Sequence, residues 1–165
     1  MNDLHYLISS TNKYYMITLP VILKSMIRVG IQPDKIVVVI GDSVNKHINK
    51  MSNILVIYDN NNSYDYTGLI SLINNNLIRD NNYFLLHDTC EVNDKFKQES
   101  INMNNMVNDF LAVDKIGLTG MGVITNDTII KLQSEILSFT NITKEQAISN
   151  ETFIFDSTSR NCYKD

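Results

Sequence analysis

The 165-residue chain has only two cysteines, two prolines and six glycines. Two thiols, Cys90 and Cys162, are too few for a disulfide framework and point to a reducing compartment. Basic charge is also short: 14 Lys and Arg stand against 18 Asp and Glu, a net charge of -4. A nucleic-acid backbone needs a basic face, so nucleic acid is not an expected partner. No apolar run reaches the roughly eighteen residues of a membrane span, so none is expected. Met1-Asn2-Asp3 lacks the basic and apolar regions of a signal peptide. Asn is overused throughout, so the four sequons at Asn61, Asn126, Asn141 and Asn150 are read as composition. The Asn and Ile excess fits an AT-rich genome. The expected location is the cytoplasm of a cell or of a virus-infected host.

Several motifs are missing too. There is no GxxxxGK[ST], no CxxC and no HExxH. After the first apolar run, where a dinucleotide fold would carry GxGxxG, the chain reads Ser9-Ser10-Thr11-Asn12. His5, His47 and His87 do not suggest a zinc site. A flavodoxin-like domain would bind phosphate or flavin at this first loop, but the loop has no glycine.

What is present alternates between two periods. Hydrophobic content is 44% and charged content 19%, ordinary for one soluble globular domain spanning residues 1–165. Leu4 to Ser10 reads as a strand ending in a polar loop. From Tyr14 to Val29 apolar positions recur at helical spacing. Pro20 then suits the first turn of a regular helix starting near Thr18, Gly30 a C-cap, and Pro33 the stop beyond it. Ile36-Val37-Val38-Val39-Ile40 and Ile54-Leu55-Val56-Ile57-Tyr58 read as buried strands, with a short helix expected between them over 44–51. Asp65 or Thr67 can cap a helix carrying Leu69, Ile70, Leu72, Ile73, Leu77 and Ile78.

The chain is organised around Asn82-Tyr83-Phe84-Leu85-Leu86-His87-Asp88-Thr89-Cys90-Glu91. Its apolar half reads as a central strand. Its second half gathers an imidazole, a carboxylate, a hydroxyl and a thiol where ligands sit in open α/β sheets. The plainer reading makes Asp88 and Thr89 caps of a following turn. Beyond it, residues 97–110 suit a helix or long loop, and 115–124 a strand bent by Gly117, Gly120 and Gly122. Asn126 or Asp127 can cap a further helix, Thr143-x-x-Gln146 is a capping box, and Thr152 to Phe155 suits a last strand. The expected fold is α/β: a three-layer α/β/α sandwich, Rossmann-like, on a mostly parallel central sheet.

Three strand ends, Ser9-Ser10-Thr11, Gly41-Asp42-Ser43 and His87-Asp88-Thr89, then share one polar cleft suited to a ribose and a pyrophosphate. Asp88 would offer oxygen to Mg²⁺ or Mn²⁺. A Cys90–His87 nucleophilic pair is a further option.

The series "TLPVILKSMIRVGI", "KIVVVIGD", "ILVIYD", "YDYTGLISLI" and "NYFLLHDTCEV" resembles the GT-A-type glycosyltransferases over roughly residues 4 to 125. The resemblance implies transfer of a sugar from a nucleotide-sugar, a UDP- or GDP-sugar, to a glycan or other hydroxyl acceptor. It assigns Ser9, Ser10, Thr11 and Asp42 to the nucleoside, and Tyr66, Thr67 and Gly68 to the base or ribose. The family's DxD element falls on His87, Asp88, Thr89 and Cys90, with Asp88 and His87 as ligands of Mn²⁺ or Mg²⁺. Gly120, Met121 and Gly122 would face the acceptor. One DxD carboxylate is missing, which leaves a non-catalytic binding or scaffold module as the alternative. The base an inverting enzyme needs stays open among Asp109, Asp114, Asp127, Glu151 and Asp156, with Asp127 and Glu151 put forward.

Overall fold

A computed structural model describes residues 2–114 and 120–163. Its centre is an eight-stranded sheet in the order β3-β4-β2-β1-β5-β7-β6-β8. The strands are β1 (Asp3–Thr11), β2 (Ile36–Gly41), β3 (His47–Met51), β4 (Ile54–Tyr58), β5 (Asn81–His87), β6 (Phe110–Ala112), β7 (Gly122–Ile124) and β8 (Asn161–Cys162). The helices are α1 (Tyr15–Arg28), α2 (Thr67–Asn74), α3 (Phe96–Met106), α4 (Asn126–Lys131), α5 (Gln133–Ser138), α6 (Lys144–Ser149) and α7 (Phe153–Asp156).

The apolar strands lack alternation because both sheet faces are covered. In β1, β2 and β5, Tyr6, Ile8, Ile36, Val38, Phe84 and Leu86 point into a core shared with Leu19, Ile22 and Met26 of α1 and Met103 of α3. Their neighbours Leu7, Val37, Val39, Tyr83 and Leu85 point the other way, against Leu69, Ile70 and Leu72 of α2, Ile129 of α4 and Ile136 of α5. A strand buried on both sides reads as one apolar run.

The α/β expectation holds, but the sheet is mixed. The pairs β1–β2, β2–β4, β1–β5 and β6–β8 are parallel. The pairs β3–β4, β5–β7 and β6–β7 are antiparallel. Only the middle block β4-β2-β1-β5 is parallel throughout. Residues 47–51 form the edge strand β3 and not the expected helix. Ser52 and Asn53, both at positive φ, turn it into β4, and Asn tolerates that region better than most residues. All five residues of β3 are exposed, so burial does not drive it; the hairpin does. Phe153–Asp156 is likewise a helical turn, α7, and not a strand. Ile154 alone is buried there, and Thr158 bonds back to the carbonyls of Ile154 and Phe155.

Other expectations shift by a turn. α1 starts at Tyr15, which places Pro20 inside it; its missing N–H leaves the Met16 carbonyl without its helical partner. The stop is as expected. Gly30 N–H bonds Ile27 O and Ile31 N–H bonds Met26 O, the paired bonds of a Schellman cap. α2 ends at Asn74, so Leu77 and Ile78 lie beyond it. Thr125 caps α4 in place of Asn126 or Asp127, and the Thr143–Gln146 capping box forms with both its bonds. No helix among the described residues is long and apolar enough to cross a membrane.

Candidate functional site

The parallel block reads β4-β2-β1-β5, so the chain lays strands to one side of β1 and then returns to its other side at β5. Ligands bind in α/β sheets at such a reversal, beyond the carboxyl ends of the strands. Ser9 of β1 pairs in register with His87 of β5, so both strands end together. A cavity of about 370 Å³ opens there. Its walls are the ends of β1 and β5, the start of α1, and the turn Tyr64–Tyr66 leading into α2.

Successive β1 side chains point to opposite faces and secure opposite walls. Ser9 Oγ accepts the backbone N–H of Gly68 at 3.1 Å, tying the start of α2 to the sheet. Gly68 is required for that approach, since a Cβ there would lie 2.6 Å from Ser9 Oγ and 3.0 Å from Leu7. Ser10 turns to the α1 side and donates to Asp88 Oδ2 at 2.5 Å. Thr18 of α1 donates to the same oxygen at 2.6 Å. Charge-assisted bonds of this length are the stronger kind, and two of them fix one carboxylate oxygen. Thr11 lines the cavity with a buried Oγ1 that has no hydrogen-bond partner.

The opposite wall carries a second pair. His87 Nε2 lies 3.3 Å from Asp65 Oδ1. The approach is off the hydrogen-bonding direction, so the nitrogen keeps no hydrogen bond. Burial pushes the Asp65 carboxyl above its usual range, and the nearby imidazole opposes that push. The side chain is 44% exposed at the cavity mouth, so water limits the effect. Gly120 sits over the pair; a Cβ built on it would lie 3.8 Å from Asp65 and 4.0 Å from His87. Tyr14 and Tyr64 add half-exposed rings to the lining.

The structure thus brings Ser9, Ser10, Thr11, His87, Asp88 and Thr89 to one cavity, with Gly120 at its edge. It separates the other residues. Asp42 is exposed, and its N–H serves the loop through Asn61 O. Tyr66 is buried, with its hydroxyl on Asn150 O at 2.5 Å and its ring against Phe139. Burial, then the Asp65 and Glu151 charges, raise its phenol well above the usual range. Thr67 Oγ1 accepts Ser63 N–H. Met121 packs on the core with its sulfur 3.6 Å from Cys90, and Gly122 lies within β7.

Among the proposed bases, Asp127 stands at the wrong end. β7 runs antiparallel to β5, so α4 starts near Tyr83, at the opposite end of β5 from His87. Glu151 shares a small crevice with Asp65, Tyr66 and Gly120, just behind the cavity. Asp109 is bound by Ser159, and Asp156 by Thr152 and Arg160. Residues 115–119 of the bent glycine segment lie outside the described residues.

The two implied metal ligands diverge. His87 faces Asp65, whereas Asp88 faces Ser10 and Thr18. Among the described residues no three His, Cys, Asp or Glu side chains converge as a metal cluster. The Cys90 thiol is raised, chiefly by burial, and sits against Met121, away from His87 Nε2, which faces Asp65. That placement does not make an activated nucleophile.

Sequence reasoning missed Thr18, Tyr14 and Tyr64, and took Asp65 for a cap. Thr18 had one legible signal: it is a polar residue one turn into the helix after the first strand. No protein-family model matches the chain, and neither a curated protein nor a solved structure matches it.

Proposed function

We propose that the cavity at the ends of β1 and β5 binds a nucleotide-sugar, and that the chain transfers the sugar to an acceptor hydroxyl, as a GT-A-type glycosyltransferase would. The observation that carries this reading is the Asp88 carboxylate, fixed by Ser10 and Thr18 at the strand-order reversal. Two hydroxyls hold Oδ2 and leave Oδ1 to meet a ligand. The exposed rings of Tyr14 and Tyr64 in the lining suit a ribose, a sugar or a base.

Electrostatics adds a condition. The lining has Asp65 and Asp88 but no Lys or Arg, so a bare diphosphate would be repelled. One carboxylate fits Mg²⁺ or Mn²⁺ held largely by phosphate oxygens and water. Asp88 would be its protein ligand, and the ion would neutralise charge on the departing diphosphate. Loss of the acceptor proton requires a base. Asp65 and His87, under Gly120, are the titratable groups on that wall, with Glu151 behind them.

A second reading is favoured by the divergence of His87 and Asp88. A cleft of hydroxyls, carboxylates and exposed tyrosines also suits a carbohydrate bound without turnover. The experiment is release of nucleoside diphosphate from UDP- and GDP-sugars, with Mn²⁺ and a glycan acceptor. Metal-dependent release that Asp88→Asn abolishes supports transfer. Glycan binding with no release from any donor favours the second reading.

A further inference from the structure

A second cavity, of about 290 Å³, lies at the other end of the same parallel strands. Its origin is a mismatch of lengths. α2 has eight residues, about 12 Å of helix, while the seven residues of β5 extend about 23 Å. α2 stops at Asn74, and the lower part of this sheet face is left without a helix over it. The floor is apolar, made by Val37, Leu55 and Tyr83 from three strands of the parallel block and by Leu72 and Leu77 above them. The rim is polar. Lys50 comes from the β3–β4 hairpin and Arg79 from the segment entering β5.

Neither cation has an ion pair or hydrogen bond among the described residues. Asp34 is the one carboxylate on the rim, beyond ion-pair distance of both. His5 lies beside it, and burial holds its imidazole below the usual range, against the pull of Asp3. On a chain of net charge -4, a concave site with two unmatched cations over an apolar floor runs against the background field.

We infer that the Lys50–Arg79 cavity binds a small organic anion, its phosphate or carboxylate head on the two cations and its apolar body on Val37, Leu55 and Tyr83. Arg79 supplies the planar fork that matches such oxyanions, and Lys50 a point charge. An apolar pocket with a few convergent polar groups is the usual form of a small-ligand site. The site is independent of the β1–β5 cleft, from which the sheet's full strand length separates it.

The probes are phenyl phosphate and phenylacetate, which distinguish the two heads, with phenol and inorganic phosphate as half-ligands. Binding is followed by calorimetry and by amide shifts in isotope-labelled protein. The expected result is saturable binding of at least one aromatic anion, with shifts centred on Val37, Leu55 and Tyr83. Phenol and inorganic phosphate bind at least about tenfold more weakly, and Lys50→Gln or Arg79→Gln each costs about tenfold or more. Asp88→Asn leaves this binding unchanged. Both substituted side chains are on the surface, and the far-UV circular dichroism of each variant checks its fold. Binding weaker than about 10 mM for both anions, or unchanged in the Lys50→Gln/Arg79→Gln double variant, would overturn the inference.

Discussion

Asp59 and Asp88 are both bonded to serine hydroxyls, yet they do different work. Asp59 is 1% exposed and accepts from Ser71 Oγ and from Asn61 N–H at 3.1 Å, with Lys46 at 3.8 Å. Burial raises its carboxyl, but those bonds and the Lys46 charge outweigh it, leaving it below the usual range. A lowered folded pKa means stability present above the unfolded value, near 3.9, and lost as pH falls through the lower folded value. Urea titrations are therefore expected to show a stability loss below about pH 4 that shrinks in Asp59→Asn. That variant is also expected to lose about 2 kcal/mol at pH 7, by weakening a buried charged network. A second prediction concerns close approach. Gly68→Ala puts a methyl 2.6 Å from Ser9 Oγ and is expected to cost about 1–3 kcal/mol by overpacking. Unchanged thermal midpoints would refute it.

Much was legible among the elements, for identifiable reasons. β2, β4 and β5 are uninterrupted apolar runs because both their faces are covered over most of their length, and such runs need no tertiary knowledge to read. The Schellman cap at Gly30 and the box at Thr143 are local chemistry, equally visible. β3 was not visible. No residue of His47–Met51 reaches the core, so the segment has no hydrophobic pattern, and pairing with β4, helped by His47 stacked on Tyr58, makes it a strand. Phe153–Asp156 misled in the other direction, since a Thr-Phe-Ile-Phe sequence favours strands and a short helical turn won. Pro20 gives an element-scale test. Pro20→Ala restores a donor for the Met16 carbonyl and is expected to stabilise the fold by roughly 2 kcal/mol, read as a raised denaturation midpoint. A lowered midpoint would mean that its contacts in the groove with Leu19 and Leu23 outweigh the helix.

For the whole molecule, the site follows from topology. Ser9, Ser10 and Thr11 are distant in sequence from His87 and Asp88, and they meet because β1 and β5 are parallel neighbours at the reversal of strand order. Of the three polar strand ends expected to share a cleft, Ser9-Ser10-Thr11 and His87-Asp88-Thr89 line one cavity and Gly41-Asp42-Ser43 does not. Adjacent His87 and Asp88 face different walls, as successive side chains at a strand end do, so the strand period already argued against a shared metal. The same topology sets Asp127 aside and brings Asp65 in.

The central claim is that Asp88 anchors a metal-dependent nucleotide-sugar site in this cleft. Calorimetric titration with UDP- and GDP-sugars, with and without Mn²⁺, tests it in wild type and in Asp88→Asn, which keeps the size of the side chain. The account predicts binding of one donor only with Mn²⁺, weakened at least about tenfold in the variant. Binding that ignores both the metal and the substitution, or no binding of any donor, would contradict it.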